Sequence, residues 1–103
     1  MDEVTLRNLL KSTGMPVAYH HYVSPPKPPY LVYLFSYSSN FAADNKVYAE
    51  NNNYQVELYT KEKDPNTEKL LEDLFNANEI YWEKSETYIE SEKMYQVIYE
   101  IQI

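Results

Sequence analysis

The sequence predicts an α+β fold in the order α-β-β-β-α-β-β, with a mostly antiparallel sheet that carries both helices on one face. Apolar residues recur at helical spacing in two separate segments, and runs of strand-forming residues lie between and after these segments. Because most consecutive strands are connected without an intervening helix, antiparallel pairing is favoured. At 103 residues, the chain is expected to form a single domain over residues 1–103.

The first helix is predicted at residues 2–13, because Leu6, Leu9 and Leu10 fall on one stripe at helical spacing. The only glycine, Gly14, is expected to end this helix as a left-handed C′ residue. A first strand is predicted at residues 15–23. The proline-rich segment 24–29 is interpreted as a stiff connection between strands, although such a segment can also be a ligand of SH3-type domains.

Residues 30–37 are predicted to form a central strand, because they are almost all apolar or aromatic and too few for an ordinary helix. Residues 38–45 are predicted to be a polar loop that exposes Phe41. A third strand is predicted at 46–60, with Tyr54, Val56 and Leu58 on its core side. The three asparagines at 51–53 indicate a bulge or a twist in this strand, or a tight turn that divides it in two.

Asp64 and Pro65 predict the start of the second helix, because aspartate can cap free N–H groups and proline suits the first helical position. The helix is expected to run to about Asn78. Its apolar stripe consists of Leu70, Leu71, Leu74 and Phe75. Its solvent side is predicted to carry Glu68, Lys69, Glu72 and Asp73. Two antiparallel strands are predicted to follow, at residues 80–89 and 93–103.

Composition disfavours several classes of function. The formal charge of −7 disfavours binding to nucleic-acid phosphates, and a single glycine cannot build a glycine-rich phosphate loop. The absence of cysteine removes disulfides and thiolate metal ligands, which fits synthesis in a reducing cytoplasm. The acidic residues Asp2 and Glu3 and the lack of a long apolar run lead us to expect neither secretion nor a membrane partner.

The residues that usually carry chemistry do not form a recognisable set. His20 and His21 are adjacent in a predicted strand, so their side chains are expected on opposite faces and not on one metal ion. The acidic residues alternate with lysine, as in a solvated surface, and no serine lies in a Gly-x-Ser-x-Gly context. We therefore predict that the protein is not an enzyme and has no catalytic, metal-binding or cofactor-binding residues.

The twelve tyrosines point instead to a protein interface. About half are accounted for by strand propensity and a place in the core. The others are expected to face outward, where aromatic rings with a polar tip are enriched at protein–protein contacts. Together with the loop at 38–45, they give the predicted interface residues Tyr33, Asn40, Phe41, Asp44, Tyr48 and Tyr59.

Five stretches, spread over nearly the whole chain, carry a resemblance to a known family. They are MPVAYHH at 15–21, PPYLVY at 28–33, ADNKVY at 43–48, YQVELYT at 54–60 and YQVIYEI at 95–101. Together they resemble small proteins from the head-to-tail morphogenesis clusters of tailed phages and prophages of Gram-positive bacteria. The chain also looks like the tail-terminator proteins of siphophages, of the type of lambda minor tail protein U.

This resemblance implies a structural protein that assembles as a ring, hexameric in that family, through sheet edges and the loop at 38–45. The implied partners are other copies of the chain, a tail-tube protein and a head-completion or connector protein. The implied location is the cytoplasm of the bacterial host during assembly and then the neck or tail of the virion. Head closure or another joining role remains open, and so does an intracellular adaptor that binds a host protein through the proline-rich loop or a sheet edge.

Overall fold

The computed structural model describes the backbone of residues 1–103 and every side chain except those of Phe41, Ala43 and Tyr48. The α+β class and the predicted order of elements are confirmed, with two differences: the third predicted strand is divided, and a short extra strand precedes it. The elements are α1 (Glu3–Lys11), β1 (Val17–Tyr19), β2 (Tyr30–Ser38), β3 (Phe41–Ala43), β4 (Lys46–Ala49), β5 (Asn52–Thr60), α2 (Pro65–Ala77), β6 (Trp82–Ile89) and β7 (Met94–Gln102).

Five strands form the main sheet in the order β1-β2-β5-β7-β6. Its neighbouring strands are antiparallel except for β1 and β2, which are parallel. Strand β1 is much shorter than the predicted 15–23, because His20 adopts a φ of 69° and leaves the extended conformation. The chain then crosses the face of the sheet opposite the helices, which we call the second face. There the Tyr22 ring packs edge-on against Tyr30 at 5.2 Å between centroids.

The core lies between the other face of the sheet and the two helices. Leu6 and Leu10 of α1 and Leu71 and Phe75 of α2 are fully buried in one cluster with side chains of β2, β5 and β7. Leu70, which we predicted in the apolar stripe of α2, is instead 51% exposed. The buried residues of α2 are Glu68, Leu71 and Phe75, so its buried stripe is narrower than the sequence pattern predicts.

Gly14 lies shortly after the end of α1 and has the predicted left-handed conformation, with a φ of 85°. Its position differs from the prediction, because the C-cap is Ser12 and Gly14 lies two residues further along. A tight turn fills this interval, in which the Gly14 N–H donates to the carbonyl of Lys11 at 3.1 Å.

Strands β3 and β4 form a separate two-stranded sheet that continues the β2–β5 pair, and we call residues 39–51 the arm. The prediction of a loop at 38–45 is therefore wrong for Ser38, the last residue of β2, and for residues 41–43. The alternative of two strands in the segment 46–60 is correct. The arm turns at Asp44 and Asn45, whose φ values of 52° and 61° are those of a type I′ hairpin.

The arm is joined to the main sheet through asparagines. The Ser39 N–H donates to the carbonyl of Asn51 at 2.9 Å, and the Asn51 N–H donates to the side-chain oxygen of Asn40 at 3.1 Å. Every described side chain from Ser39 to Glu50 is exposed. The arm contributes to an elongated molecule with a longest extent of 50 Å.

The cap of α2 gives a first prediction. The Asp64 carboxylate accepts hydrogen bonds from the Thr67 hydroxyl at 2.6 Å and from the Thr67 N–H at 3.1 Å, and these bonds lower the pKa of Asp64. Asp64→Ala is expected to lower the free energy of unfolding by about 1 kcal/mol. Glu62→Ala, an exposed control two residues earlier, is expected to change it by less than about 0.5 kcal/mol. Equal thermal midpoints for the two variants in circular dichroism would contradict the assignment.

Candidate protein interface

Tyr33, one of the predicted interface residues, lies in the core and is fully buried. Its ring packs edge-on against Tyr19 at 5.1 Å between centroids, and its hydroxyl donates to the Glu3 carboxylate. Burial, together with the hydrogen bond to Glu3, raises the pKa of Tyr33. The expectation of an outward Tyr33 ring is wrong, because Tyr33 pairs with Val56 on the face of the sheet that the helices cover.

Tyr59 lies on the second face of the sheet and is half-buried. Its ring stacks on Tyr30 at 4.9 Å between centroids. Its hydroxyl donates to Glu57 and accepts from Gln96, both at 2.8 Å. Burial is the main cause that raises the pKa of Tyr59, followed by the hydrogen bond to Glu57. Tyr59 therefore lies on the side of β5 opposite Tyr54, Val56 and Leu58, as the alternation predicts, but its ring is partly covered and its hydroxyl is bound within its own sheet.

The other four predicted interface residues belong to the arm. Asn40 and Asp44 are exposed, and the Asn40 side chain also supports the base of the arm. Phe41 and Tyr48 contribute backbone to β3 and β4, but their side chains lie outside the described residues. The loop at 38–45 that was predicted to form a protein contact is therefore part of a hairpin that extends from the sheet.

Large exposed rings that the sequence analysis did not single out lie close to this arm. Tyr37, at the end of β2, is 62% exposed, and Tyr81, just before β6, is 72% exposed. Both rings line a groove of about 410 Å³ at the end of the sheet from which the arm leaves. Phe35 of β2 is 43% exposed, because β1 ends at Tyr19 and leaves the outer edge of this half of β2 unpaired, while its other edge pairs with β5. This end of the molecule therefore combines an extended hairpin with exposed aromatic rings.

The two histidines are closer than predicted. Their Nδ1 atoms are 3.1 Å apart and their rings meet edge-on, because the positive φ of His20 breaks the alternation of a strand. The expectation of side chains on opposite faces is wrong. In the part of the chain that the structure describes, no group of three or more histidine, aspartate or glutamate residues is placed to hold a metal ion.

A charged cluster joins α2 to β6. Glu68 is only 4% exposed, contrary to its predicted place in solvent, and its carboxylate lies 2.6 Å from the Lys63 ammonium and 3.1 Å from that of Lys84. Glu72 accepts from Lys84 and from the Tyr99 hydroxyl, both at 2.7 Å. Burial raises the pKa of Glu68, but the two lysines outweigh it, so the pKa is lowered. The cluster satisfies its own charges and holds the helix on the sheet.

Comparison with protein-family models gave no match, and no curated protein matches the chain. Of the helices in the described structure, neither has the length and apolar character required to cross a membrane. We therefore infer the candidate interface from the geometry of the chain alone, and the arm is its most distinctive part.

Proposed function

We propose that the protein is a structural subunit of a phage or prophage virion, a tail terminator or head-tail joining protein. It acts by binding copies of itself in a ring, and it binds the tail-tube and head-completion proteins through that ring. The observation that carries this proposal is the arm, a hairpin whose described side chains from Ser39 to Glu50 are all exposed.

An exposed two-stranded hairpin supports a role in association because such a hairpin is only marginally stable by itself in water. Contact with a second protein would cover its strands and the neighbouring rings of Tyr37 and Phe35. A closed ring requires two different patches on each subunit, and an arm that reaches a neighbour provides one of them. The resemblance to tail-terminator proteins adds the ring and the virion partners.

Replacement of the arm tests the proposal. The Ser39 N–H donates to the carbonyl of Asn51, so an Asn-Gly turn in place of residues 40–50 can close a short hairpin there. We expect this variant to unfold within a few degrees of the wild type, since the replaced segment contributes no described side chain to the core. It should nevertheless remain monomeric under conditions in which the wild type forms rings.

The measurements are thermal unfolding, sedimentation velocity, and electron microscopy with purified tail tubes. A wild-type protein that sediments as a monomer at every concentration, with and without tail tubes, would contradict the proposed function. A variant without the arm that caps tubes normally would contradict the role of the arm. Recovery of host proteins and no virion proteins in a pull-down with the wild type would favour the adaptor alternative.

A further inference from the structure

The groove beside the arm, which we call the arm-side groove, is negatively charged. Besides Tyr37 and Tyr81, its lining includes the carboxylates of Glu79, Glu83 and Glu100. No lysine, arginine or histidine is among the described residues that line it. The groove therefore combines two exposed tyrosine rings with three negative charges.

Two of these charges face each other within the sheet. Glu83 of β6 and Glu100 of β7 are directly paired across the two strands. Like charges in this position destabilise a sheet. Glu83 accepts a hydrogen bond from the Tyr81 hydroxyl at 2.9 Å, but among the described side chains neither glutamate forms an ion pair. The isolated subunit thus carries a repulsion that a cationic partner would relieve.

The opposite end of the same strands carries a groove of the opposite charge, which we call the lysine groove. It has a volume of about 520 Å³, and its lining includes three lysines, Lys61, Lys63 and Lys93, and one acidic residue, Glu62. Lys63 is already paired with residues of the charged cluster. Lys61 and Lys93 are exposed, and no ion pair within the described structure involves them.

The lysine groove also has its own aromatic pair. Tyr88 and Tyr95 are paired across β6 and β7, with ring centroids 4.9 Å apart, and Tyr88 is 47% exposed. Each end of the sheet therefore presents tyrosines beside an excess of one charge, negative in the arm-side groove and positive in the lysine groove. Tyrosines that exclude water around charge pairs are typical of the central contacts of protein interfaces.

We propose that the arm-side groove of one copy binds the lysine groove of the next copy. This inference rests on the proposed function and names the contact that joins neighbouring subunits. Glu83 and Glu100 then face Lys61 and Lys93 of the neighbour, and the repulsion between the two glutamates is relieved on binding. Because the two surfaces differ and lie at opposite ends of the strands, repetition of the contact joins copies head to tail, as a closed ring requires.

Charge reversal tests the contact. We expect Glu83→Lys/Glu100→Lys and, separately, Lys61→Glu/Lys93→Glu to weaken self-association about tenfold or more in sedimentation equilibrium at low salt. The chain that carries all four substitutions should associate again, because the complementary charges are restored with exchanged signs. Failure of this four-residue variant to associate, when it is folded by circular dichroism, would overturn the inference.

A neutral substitution gives a second readout that a purely structural role would not give. Glu100→Gln removes the repulsion within the sheet, so we expect the monomer to melt at a higher temperature while self-association becomes weaker. Glu90→Gln, an exposed control in the β6–β7 turn and outside the lining of both grooves, should change neither property.

These results separate the two proposals. A wild type that is monomeric at every concentration contradicts the proposed function and this contact together. A wild-type ring that persists in all charge variants contradicts only the contact between the two grooves. The Glu100→Gln result decides the question even if a reversal prevents folding, because stability and association are then expected to change in opposite directions.

Discussion

Leu71→Ala is expected to lower the free energy of unfolding by about 2–5 kcal/mol, the range for a leucine removed from a closed core. The neighbouring change Leu70→Ala is expected to alter it by less than about 0.5 kcal/mol. Both positions lie within α2, so the two substitutions have the same effect on helix propensity. The difference between them comes from burial, since Leu71 is fully buried whereas Leu70 is 51% exposed.

Urea unfolding of the two variants measures this difference directly. An unchanged slope of the free energy against urea would indicate that the change lies in the folded core and not in the extent of the unfolded state. A Leu70→Ala variant as unstable as Leu71→Ala would contradict the described orientation of α2. The sequence alone placed both leucines in the same apolar stripe, so the pair tests a distinction that only the structure makes.

The elements whose signals are local were predicted well. Asp64 and Pro65 mark the start of α2 because capping depends on groups only three residues apart. The alternation in Tyr54, Val56 and Leu58 identifies the buried face of β5 because a strand with one wet side must alternate. In both segments, the interactions that determine the structure lie within a few positions of each other.

Features that depend on distant partners were not predicted. The run at 30–37 is apolar on both sides and therefore lacks an alternating pattern. The sequence could not show that Tyr33 faces the helices while Tyr30 packs under Tyr22. The burial of Glu68 depends on Lys84, sixteen positions away. The shortness of β1 follows from a positive φ at His20, a conformation that is uncommon for residues other than glycine.

Only part of the candidate interface was predicted, again because some of its features depend on contacts between distant residues. Residues 38–45 were predicted to be a loop because β3 has only three residues, too few for a clear alternating pattern, whereas β4 lies within the strand predicted at 46–60. Asp44-Asn45 could have indicated a hairpin, since aspartate and asparagine tolerate the positive φ values of a type I′ turn. The two charged grooves were not predicted, because locating them requires the register between β6 and β7, and the sequence does not give that register.

The second large effect is expected from removal of both lysines that surround Glu68. Lys63→Met/Lys84→Met leaves a carboxylate whose side chain is only 5% exposed without a cationic partner. An unpaired buried charge of this kind costs about 3–5 kcal/mol in the free energy of unfolding at neutral pH. Lys69→Met is the control, because its ion pair with Asp73 has both side chains mostly exposed and is worth less than about 1 kcal/mol.

The pH dependence of the double variant distinguishes an unpaired charge from lost packing. In the wild type, the pKa of Glu68 is lowered on folding, so its contribution to stability is present above the pKa of an unfolded glutamate, about 4.3, and is lost as the pH falls. Without the lysines, burial is the main remaining influence, and it raises the pKa of Glu68 above the unfolded value.

Protonation of Glu68 then favours the folded state of the double variant, so the difference in unfolding free energy between wild type and variant should narrow as the pH falls from about 7 toward 5. Urea unfolding at several pH values measures this difference. If it stays constant over that range, the instability comes from lost side-chain packing. If it narrows for the double variant but not for Lys69→Met, the two lysines are what allow a buried carboxylate to remain charged between α2 and β6.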